Sequence, residues 1–202
     1  MISQDPAPQL EELTQPVQGG NKESSSGFRN VMLEILQTIL LALILYFVID
    51  AVLARVRVEN ISMEPTLQPG EFLLVSKFSY KFGSMQVGDI VVFHAPPSPN
   101  QDYIKRIIGL PGDTVRIENG TVFVNQNPLE ENYISAPPDY LGEWEVPQDS
   151  IFVLGDNRNS SSDSHEWGFV PVKNIVGKAV VVYWPLKELK VLTHPNIVQA
   201  SH

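Results

Sequence analysis

The stretch TVRIENGTVFVN, residues 114–125, predicts the fold class of this chain. Apolar and polar side chains alternate on both sides of Asn119-Gly120, a pattern that places one face of a strand against a core. Asn-Gly suits a two-residue turn between antiparallel strands, because both positions of that turn require positive φ. The stretch therefore predicts a β-hairpin.

Further strand-like segments lie on both sides of this hairpin. They are EFLLVSKFSY (71–80), VGDIVVFHAP (87–96) and YIKRIIG (103–109) before it, and SIFVLGDN (150–157) and IVGKAVVVYW (175–184) after it. The residues in between, about 125–150, are polar and contain proline, so we expect a less regular excursion there. Residues 55–202 are predicted to form a mainly β domain of antiparallel sheets.

An apolar segment precedes this domain. In residues 31–54, VMLEILQTILLALILYFVIDAVLA, only four polar side chains interrupt the run. A helix of this length reaches ~36 Å and can cross ~30 Å of hydrocarbon. We predict a single transmembrane helix, preceded by a disordered polar tail over residues 1–30. A cleavable signal peptide ending at Ala54 is the alternative, although the long acidic tail is unlike the short basic start of such peptides.

Composition excludes several classes of function. The 202 residues carry a net charge of −9 and no cysteine, so there is no thiol nucleophile and no thiolate metal site. Because no cluster of lysine and arginine stands out, nucleic acid is not an expected partner. The four histidines are scattered, and His165-Glu166 lacks the second histidine of a zinc-protease helix. We expect no metal and no cofactor.

Ser62 lies in VRVENISMEPTLQPGEF, residues 56–72, just after the apolar segment. A serine in such a stretch is usually only a turn residue. No Gly-x-Ser-x-Gly elbow surrounds it, but a catalytic triad of Ser62 with His165 and Asp163 or Asp156 is conceivable.

Lys105 lies on a predicted strand, on the face that also carries Tyr103 and Ile107. Burial among such neighbours disfavours the charged amine and lowers the pKa of the lysine. A general base acting near neutrality needs a pKa of ~7–8 instead of ~10.4. The alternative is a lysine whose amine reaches solvent from the edge of the strand.

A third candidate segment is GDNRNSSSDSHEWGFV, residues 155–170, directly after a predicted strand. Its glycine, asparagine and serine content also fits a solvated loop. Arg158 could instead form buried charge pairs with Asp156 and Asp163 and so fix a rigid loop. A serine hydroxyl of such a loop could orient an amine.

Together these segments resemble the type I signal peptidases, membrane-anchored endopeptidases with a serine and lysine dyad. The matching motifs, in order, are SMEPT (62–66), GDIVVF (88–93), YIKRIIGLPGD (103–113) and GDNR (155–158), followed by Ser161, Asp163 and Ser164. The resemblance covers residues 31–185, and four motifs in order are far more specific than any one of them.

The resemblance implies roles for individual residues. Ser62 would be the nucleophile and Lys105 the general base, and Ser161 would form a hydrogen bond with the Lys105 amine and orient it. The Ser62 backbone N–H would contribute to the oxyanion hole. The chain departs from the family at two positions: Asn60 stands where a hydroxyl residue often completes that hole, and His165 stands where an arginine is common.

The resemblance also implies a substrate and a location. Signal peptides of exported preproteins would be cut after small-x-small sites, with the substrate extended beside a strand at the site. The tail would be cytoplasmic and the β domain would lie on the exported side of a cell membrane, as a monomer without cofactors. Shallow apolar pockets that admit only small side chains would be lined by Met63, Leu67, Tyr103 and Ile104.

Two rival functions are open at this stage. A self-cleaving repressor-type protease shares the serine and lysine chemistry, but residues 1–30 contain no DNA-binding module. A catalytically silent β domain that binds export partners is a rival of another class, and the presence of both Ser62 and Lys105 argues against it.

Overall fold

The computed structural model describes residues 23–193. The chain divides into two compact units, Met1–Leu45 and Tyr46–His202. The described residues of the first unit belong to helix α1 (Glu23–Val52), which continues into the second unit. Most of the predicted disordered tail, residues 1–22, lies outside the described residues.

Helix α1 differs from the predicted helix of residues 31–54 at both ends. It begins at Glu23, so residues 23–30 of the predicted tail are helical, which the absence of proline there permits. It ends at Val52 because Leu53 already pairs with Ser76 in a sheet. Residues Gly27–Val52 are long and apolar enough to cross a membrane, with a mean hydropathy of 2.4.

The rest of the described chain is mainly β, which confirms the predicted fold class. Two helices of four residues are present, α2 (Ser79–Phe82) and α3 (Ser164–Trp167). The strands within residues 23–193 are β1 (Leu53–Arg57), β2 (Phe72–Ser76), β3 (Ile90–Ala95), β4 (Ser98–Gly109), β5 (Thr114–Glu118), β6 (Thr121–Val124), β7 (Asn127–Pro128), β8 (Gly142–Glu145), β9 (Ser150–Leu154), β10 (Val170–Pro171), β11 (Ile175–Trp184) and β12 (Lys190–Val191).

These strands form two antiparallel sheets. The larger has the order β1-β2-β11-β3-β4-β9-β10, with β12 paired to β11, and the smaller has the order β7-β6-β5-β8. Strand β4 is long: it pairs with β3 over most of its length, but with β9 only from Arg106 onward. One edge of β4 before Arg106 therefore has no partner strand among the described residues.

The hairpin predicted from residues 114–125 is confirmed. Strands β5 and β6 pair antiparallel, and Asn119 and Gly120 form the turn with φ of 50° and 76°. The predicted excursion over 125–150 is irregular mainly between β7 and β8. After that, the chain comes back to the smaller sheet, where β8 pairs with β5. Apolar residues on the inner faces of these strands, such as Val115, pack against Phe152 of β9.

A second core cluster fixes the loop between β1 and β2. The side chains of Val58, Met63 and Leu67 are at most 2% exposed and pack against Leu73 of β2. The loop is closed at its base by a hydrogen bond from the Val58 N–H to the Glu71 carbonyl, 2.8 Å long. Burial of these three side chains therefore holds the intervening residues in one conformation.

The turn of the hairpin yields a stability prediction. Because φ at Gly120 is positive, Gly120→Ala should lower the free energy of unfolding by about 1 kcal/mol. Asn119→Gly should be tolerated, since its φ of 50° suits glycine. Denaturant unfolding of the full chain in detergent measures both, and equal losses for the two variants would contradict the assigned turn.

Candidate active site

Ser62 lies in the buried loop between β1 and β2 and is 6% exposed. Its carbonyl accepts a hydrogen bond from the Asn157 N–H, at 3.1 Å, and the Asn157 side chain donates to the Ile61 carbonyl. The loop after β9 therefore supports the Ser62 backbone from a distant part of the sequence.

Gly155 permits this close approach of the two loops. A Cβ built on Gly155 would lie 2.4 Å from the Ser62 carbonyl oxygen and 2.2 Å from Ser161 Oγ. Both separations are far below van der Waals contact, so any side chain at position 155 would push the loops apart. The glycine of the GDNR motif is therefore explained by packing at the site.

Lys105 lies on β4 and meets Ser62 in the interior. Its Nζ is 2.6 Å from Ser62 Oγ, and the lysine side chain is almost wholly buried. The structure thus brings together the two residues that the sequence analysis selected from segments 43 positions apart. The alternative in which the Lys105 amine reaches solvent is wrong.

Burial lowers the pKa of Lys105 from its ordinary value of 10.5 to about 8, and the negative charges of Asp163, Asp156 and Glu166 oppose part of that shift. A substantial fraction of the amine is therefore neutral at mildly alkaline pH. A neutral amine in contact with a serine hydroxyl can take its proton, which is what activation of a serine nucleophile requires.

Asn60 contacts Ser62 in an orientation that the sequence did not predict. Its Oδ1 accepts a hydrogen bond from the Ser62 N–H at 3.1 Å and from the Ser62 hydroxyl at 2.7 Å. The predicted role was donation to an oxyanion, whereas in this structure the Asn60 oxygen faces the site. The reason is chemical: a backbone N–H can only donate, so it attracts the amide oxygen and turns the NH₂ group away.

Ser161 does not make the predicted hydrogen bond to Lys105. Its Oγ is buried and has no hydrogen-bond partner within residues 23–193. The hydroxyl packs against Gly155, while the Lys105 amine is directed at Ser62 instead. Ser161 therefore lies at the site without orienting the amine in this state.

A groove of about 430 Å³ is lined by Met63 and Ile104, the chain neighbours of Ser62 and Lys105. Three of the four predicted pocket residues line it, namely Met63, Tyr103 and Ile104, but Leu67 does not. Leu67 is wholly buried in the core cluster that also contains Met63, and its assignment to the pocket stays a prediction. The groove is otherwise lined by Arg55, Val56, Arg57, Val58, Glu59, Asn60, Gln101 and Asp102.

The charge pairs around the site differ from those expected. Asp156 pairs with Arg106, through contacts of 2.8 Å and 2.6 Å to the guanidinium, and not with Arg158. Arg158 pairs instead with Glu131, from the middle of the excursion. The predicted pairs of Arg158 with Asp156 and Asp163 are wrong because these two acidic partners already bind other groups.

Sequence reasoning missed Arg106, Glu131 and Tyr133 as partners in this cluster. The guanidinium of Arg106 lies 4.0 Å from the centre of the Tyr133 ring, and Tyr133 donates to Glu131. Arg106 follows Lys105 on the opposite face of β4, so the alternation of the strand could have predicted a charged partner on that face. Nothing in the polar excursion distinguished Glu131 or Tyr133 from a solvated loop.

Asp163 and His165 form a contact, as the resemblance suggested. The carboxylate of Asp163 is wholly buried, and its Oδ1 lies 2.7 Å from His165 Nδ1. Neither residue contacts the Ser62 hydroxyl, whose partners are Lys105 and Asn60. The arrangement therefore disfavours the alternative of a Ser-His-Asp triad.

Within the described part of the chain, no group of three acidic or histidine side chains is arranged to hold a metal ion.

The chain is similar in sequence to known signal peptidases over most of its length. The family model described as "Signal peptidase, peptidase S26" matches residues 32–184. A signal peptidase I of Leptolyngbya laminosa is 45% identical, covering 96% of this chain and 97% of that protein. A probable signal peptidase I-2 of Synechocystis sp. is 44% identical, covering 86% and 83%. A signal peptidase I structure from Enterococcus faecalis V583 is 32% identical, with a TM-score of 0.44, covering 47% and 96%.

The buried amine predicts how the stability of the chain depends on pH. Between pH about 8 and 10.5 the unfolded lysine binds a proton that the folded one does not, so stability rises with pH through this window. At pH 7 the cost of burying the charge is fully present. Lys105→Met should therefore raise the free energy of unfolding there by roughly 3 kcal/mol, and this gain should shrink towards pH 10.

Thermal unfolding of the full chain in detergent at the two pH values measures this effect. The matched control is Lys187→Met, at a lysine whose side chain is 79% exposed, and it should leave stability unchanged at both. A methionine variant that is less stable than the wild type at pH 7 would show that the Lys105 amine is a structural group.

Proposed function

The chain belongs to the peptidase S26 family of signal peptidases, and we propose that it cleaves N-terminal signal peptides from exported preproteins with a Ser62 nucleophile and a Lys105 base. The observation that carries the proposal is the buried 2.6 Å contact between Lys105 Nζ and Ser62 Oγ, whose chain neighbours Met63 and Ile104 line a groove. Membership of the family makes the chain a peptidase, and this contact supports the chemistry by which it would act.

Substrate binding follows from the walls of the groove. One wall comes from residues 55–60, at the edge of the larger sheet, and the other from residues 101–104, where one edge of β4 has no partner strand among the described residues. An extended peptide can hydrogen-bond to such edges by adding a strand. Met63 and Ile104 line the groove beside Ser62 and would limit the substrate to small side chains near the cut, in agreement with a small-x-small preference.

The proposed reaction begins with attack of Ser62 Oγ on the scissile carbonyl carbon. The hydroxyl proton passes to Lys105 Nζ, and the negative oxygen of the tetrahedral intermediate accepts a hydrogen bond from the Ser62 N–H. The C–N bond then breaks, and the Lys105 ammonium returns its proton to the leaving amine. Water attacks the resulting ester with Lys105 again as base, which releases the signal peptide and restores the serine.

Asn60 has to move for this reaction to begin. In the structure its Oδ1 accepts hydrogen bonds from the Ser62 N–H and from the Ser62 hydroxyl. The first donor would stabilise the oxyanion, and the second carries the proton that Lys105 would remove. A substrate carbonyl that takes the Ser62 N–H would displace the amide and free the hydroxyl at the same step. The rotated amide could then turn its NH₂ group towards the oxyanion.

Membrane anchoring belongs to the same proposal. Helix α1 is long and apolar enough to span a bilayer, and Ser62 follows its last residue, Val52, by ten positions. Tethering would raise the local concentration of signal peptides, which are themselves membrane-bound. The tail would lie in the cytoplasm and the β domain on the exported side.

Incubation of the purified full chain with a preprotein in detergent tests the dyad. Ser62→Ala and Lys105→Met should each lower the cleavage rate by at least about a thousandfold, because nucleophile and base act as a unit. The control Ser162→Ala removes an exposed hydroxyl of the neighbouring loop and should retain activity. The new N-terminus should follow a small-x-small site, and equal cleavage by all variants would refute the dyad.

The pH dependence of cleavage provides a second test. Because the neutral amine is the active form, kcat/KM should rise through pH about 8 and then level off. A flat profile between pH about 6 and 10 would argue against a lysine base.

Replacement of Asn60 tests its proposed movement. Asn60→Ala removes the acceptor that competes for the Ser62 protons and also the NH₂ group that would donate to the oxyanion. Because the lost donor acts on the oxyanion, kcat should fall by roughly tenfold to a hundredfold with little change in KM, and Asn60→Ser should recover part of the loss. A rise in kcat for Asn60→Ala would show that Asn60 only restrains the free enzyme.

A further inference from the structure

The charges near Lys105 include one pair whose charge changes with pH. His165 Nδ1 lies 2.7 Å from Asp163 Oδ1. The other oxygen of Asp163 accepts a hydrogen bond from the Gly155 N–H, at 2.9 Å. Asp163 therefore connects the imidazole to the glycine that packs against Ser62.

Tyr140 fixes the position of the imidazole. The two rings stack with centres 3.9 Å apart and planes 10° from parallel, and the His165 side chain is only 18% exposed. The backbone N–H of His165 also donates to Asp163, which caps helix α3. The ring is thus restrained on its face by Tyr140 and at Nδ1 by the carboxylate, so little freedom remains for it to leave Asp163.

We propose that His165 is a positioning residue that controls how much negative charge Asp163 presents to the Lys105 amine. This inference rests on the proposed role of Lys105 as the base. When His165 carries a proton, its charge offsets that of Asp163 and favours the neutral amine. When His165 loses its proton, the negative charge of Asp163 is no longer offset, and it stabilises the ammonium form of Lys105.

The surrounding charges fit this coupling. Asp163 is the foremost of the acidic groups that raise the pKa of Lys105, and the hydrogen bond to Asp163 raises the pKa of His165 above its ordinary value. Asp156 is already paired with Arg106. The titratable and charged groups that face His165 are Asp139, Tyr140, Arg158, Asp163 and Glu166, and burial raises the pKa of Tyr140 so that it stays neutral.

Lys105 and His165 both become positive on protonation, and both interact with Asp163. Because the charge on one disfavours protonation of the other, each titrates over a wider pH range than it would alone. The wild-type rate profile should therefore be broader than that of a variant with a fixed charge at position 165. His165→Arg keeps a permanent cation beside Asp163, and His165→Gln keeps a hydrogen-bond donor without charge. The two variants separate the charge of the ring from its structural contacts.

The test measures kcat/KM against pH for the full chain in detergent. The midpoint for His165→Arg should lie below that for His165→Gln by at least about half a pH unit, a roughly threefold difference in the neutral fraction of Lys105 at pH 7, with the wild type between them. The matched control is His94→Arg, at a second His–Asp pair of 2.7 Å on the exposed surface, and it should leave the midpoint unchanged.

Coincident midpoints for all four proteins would overturn the inference, as would a loss of kcat or thermal stability in the His165 variants without a shift. If the arginine does not fold beside Tyr140, the glutamine variant decides alone, and a midpoint equal to that of the wild type counts against the proposal. A wild-type profile that does not rise with pH would instead refute the lysine base itself, so the two failures are distinguishable.

Discussion

Burial of the Lys105 amine against the Ser62 hydroxyl is the constraint on which the site depends. An ammonium inside a protein is costly unless it is paired or loses its proton, and no carboxylate of residues 23–193 is in hydrogen-bond contact with Lys105. The fold therefore holds a reactive, partly neutral amine in place at the expense of stability. Such a site requires a rigid frame, since any relaxation that admitted water would restore the charge and the ordinary pKa.

The frame is supplied from several directions. Lys105 is held by the pairing of β4 with β3, one residue before β4 begins to pair with β9. Ser62 is held by the loop whose side chains Met63 and Leu67 are buried in the core. The loop after β9 presses Gly155 against the Ser62 carbonyl, and buried ion pairs such as that of Arg106 with Asp156 hold that loop. The groove lies between the edge strand β1 and the edge of β4 that has no partner strand among the described residues, where the proposed substrate would add a strand.

Much of this could be predicted from the sequence, and the failures share a physical cause. Strand alternation and the Asn119-Gly120 turn predicted the hairpin, and four ordered motifs predicted the meeting of Ser62 and Lys105. Long-range partners were not predictable, because Glu131 lies in a polar segment without periodicity and its contact with Arg158 depends on the tertiary fold. The orientation of Asn60 and the unbonded hydroxyl of Ser161 depend on hydrogen-bond choices of individual atoms, which a pattern of residue types does not encode.

The most direct test of the account is the titration of Lys105 itself. The full chain has eight lysines, and ¹³C labelling at their Cε atoms lets each be followed by NMR in detergent as pH changes. We predict one signal that titrates near pH 8, is absent from Lys105→Met and shares its midpoint with kcat/KM. If all the lysine signals titrated only above pH 10 while the enzyme remained active near neutrality, Lys105 would not be the base and the central claim would be contradicted.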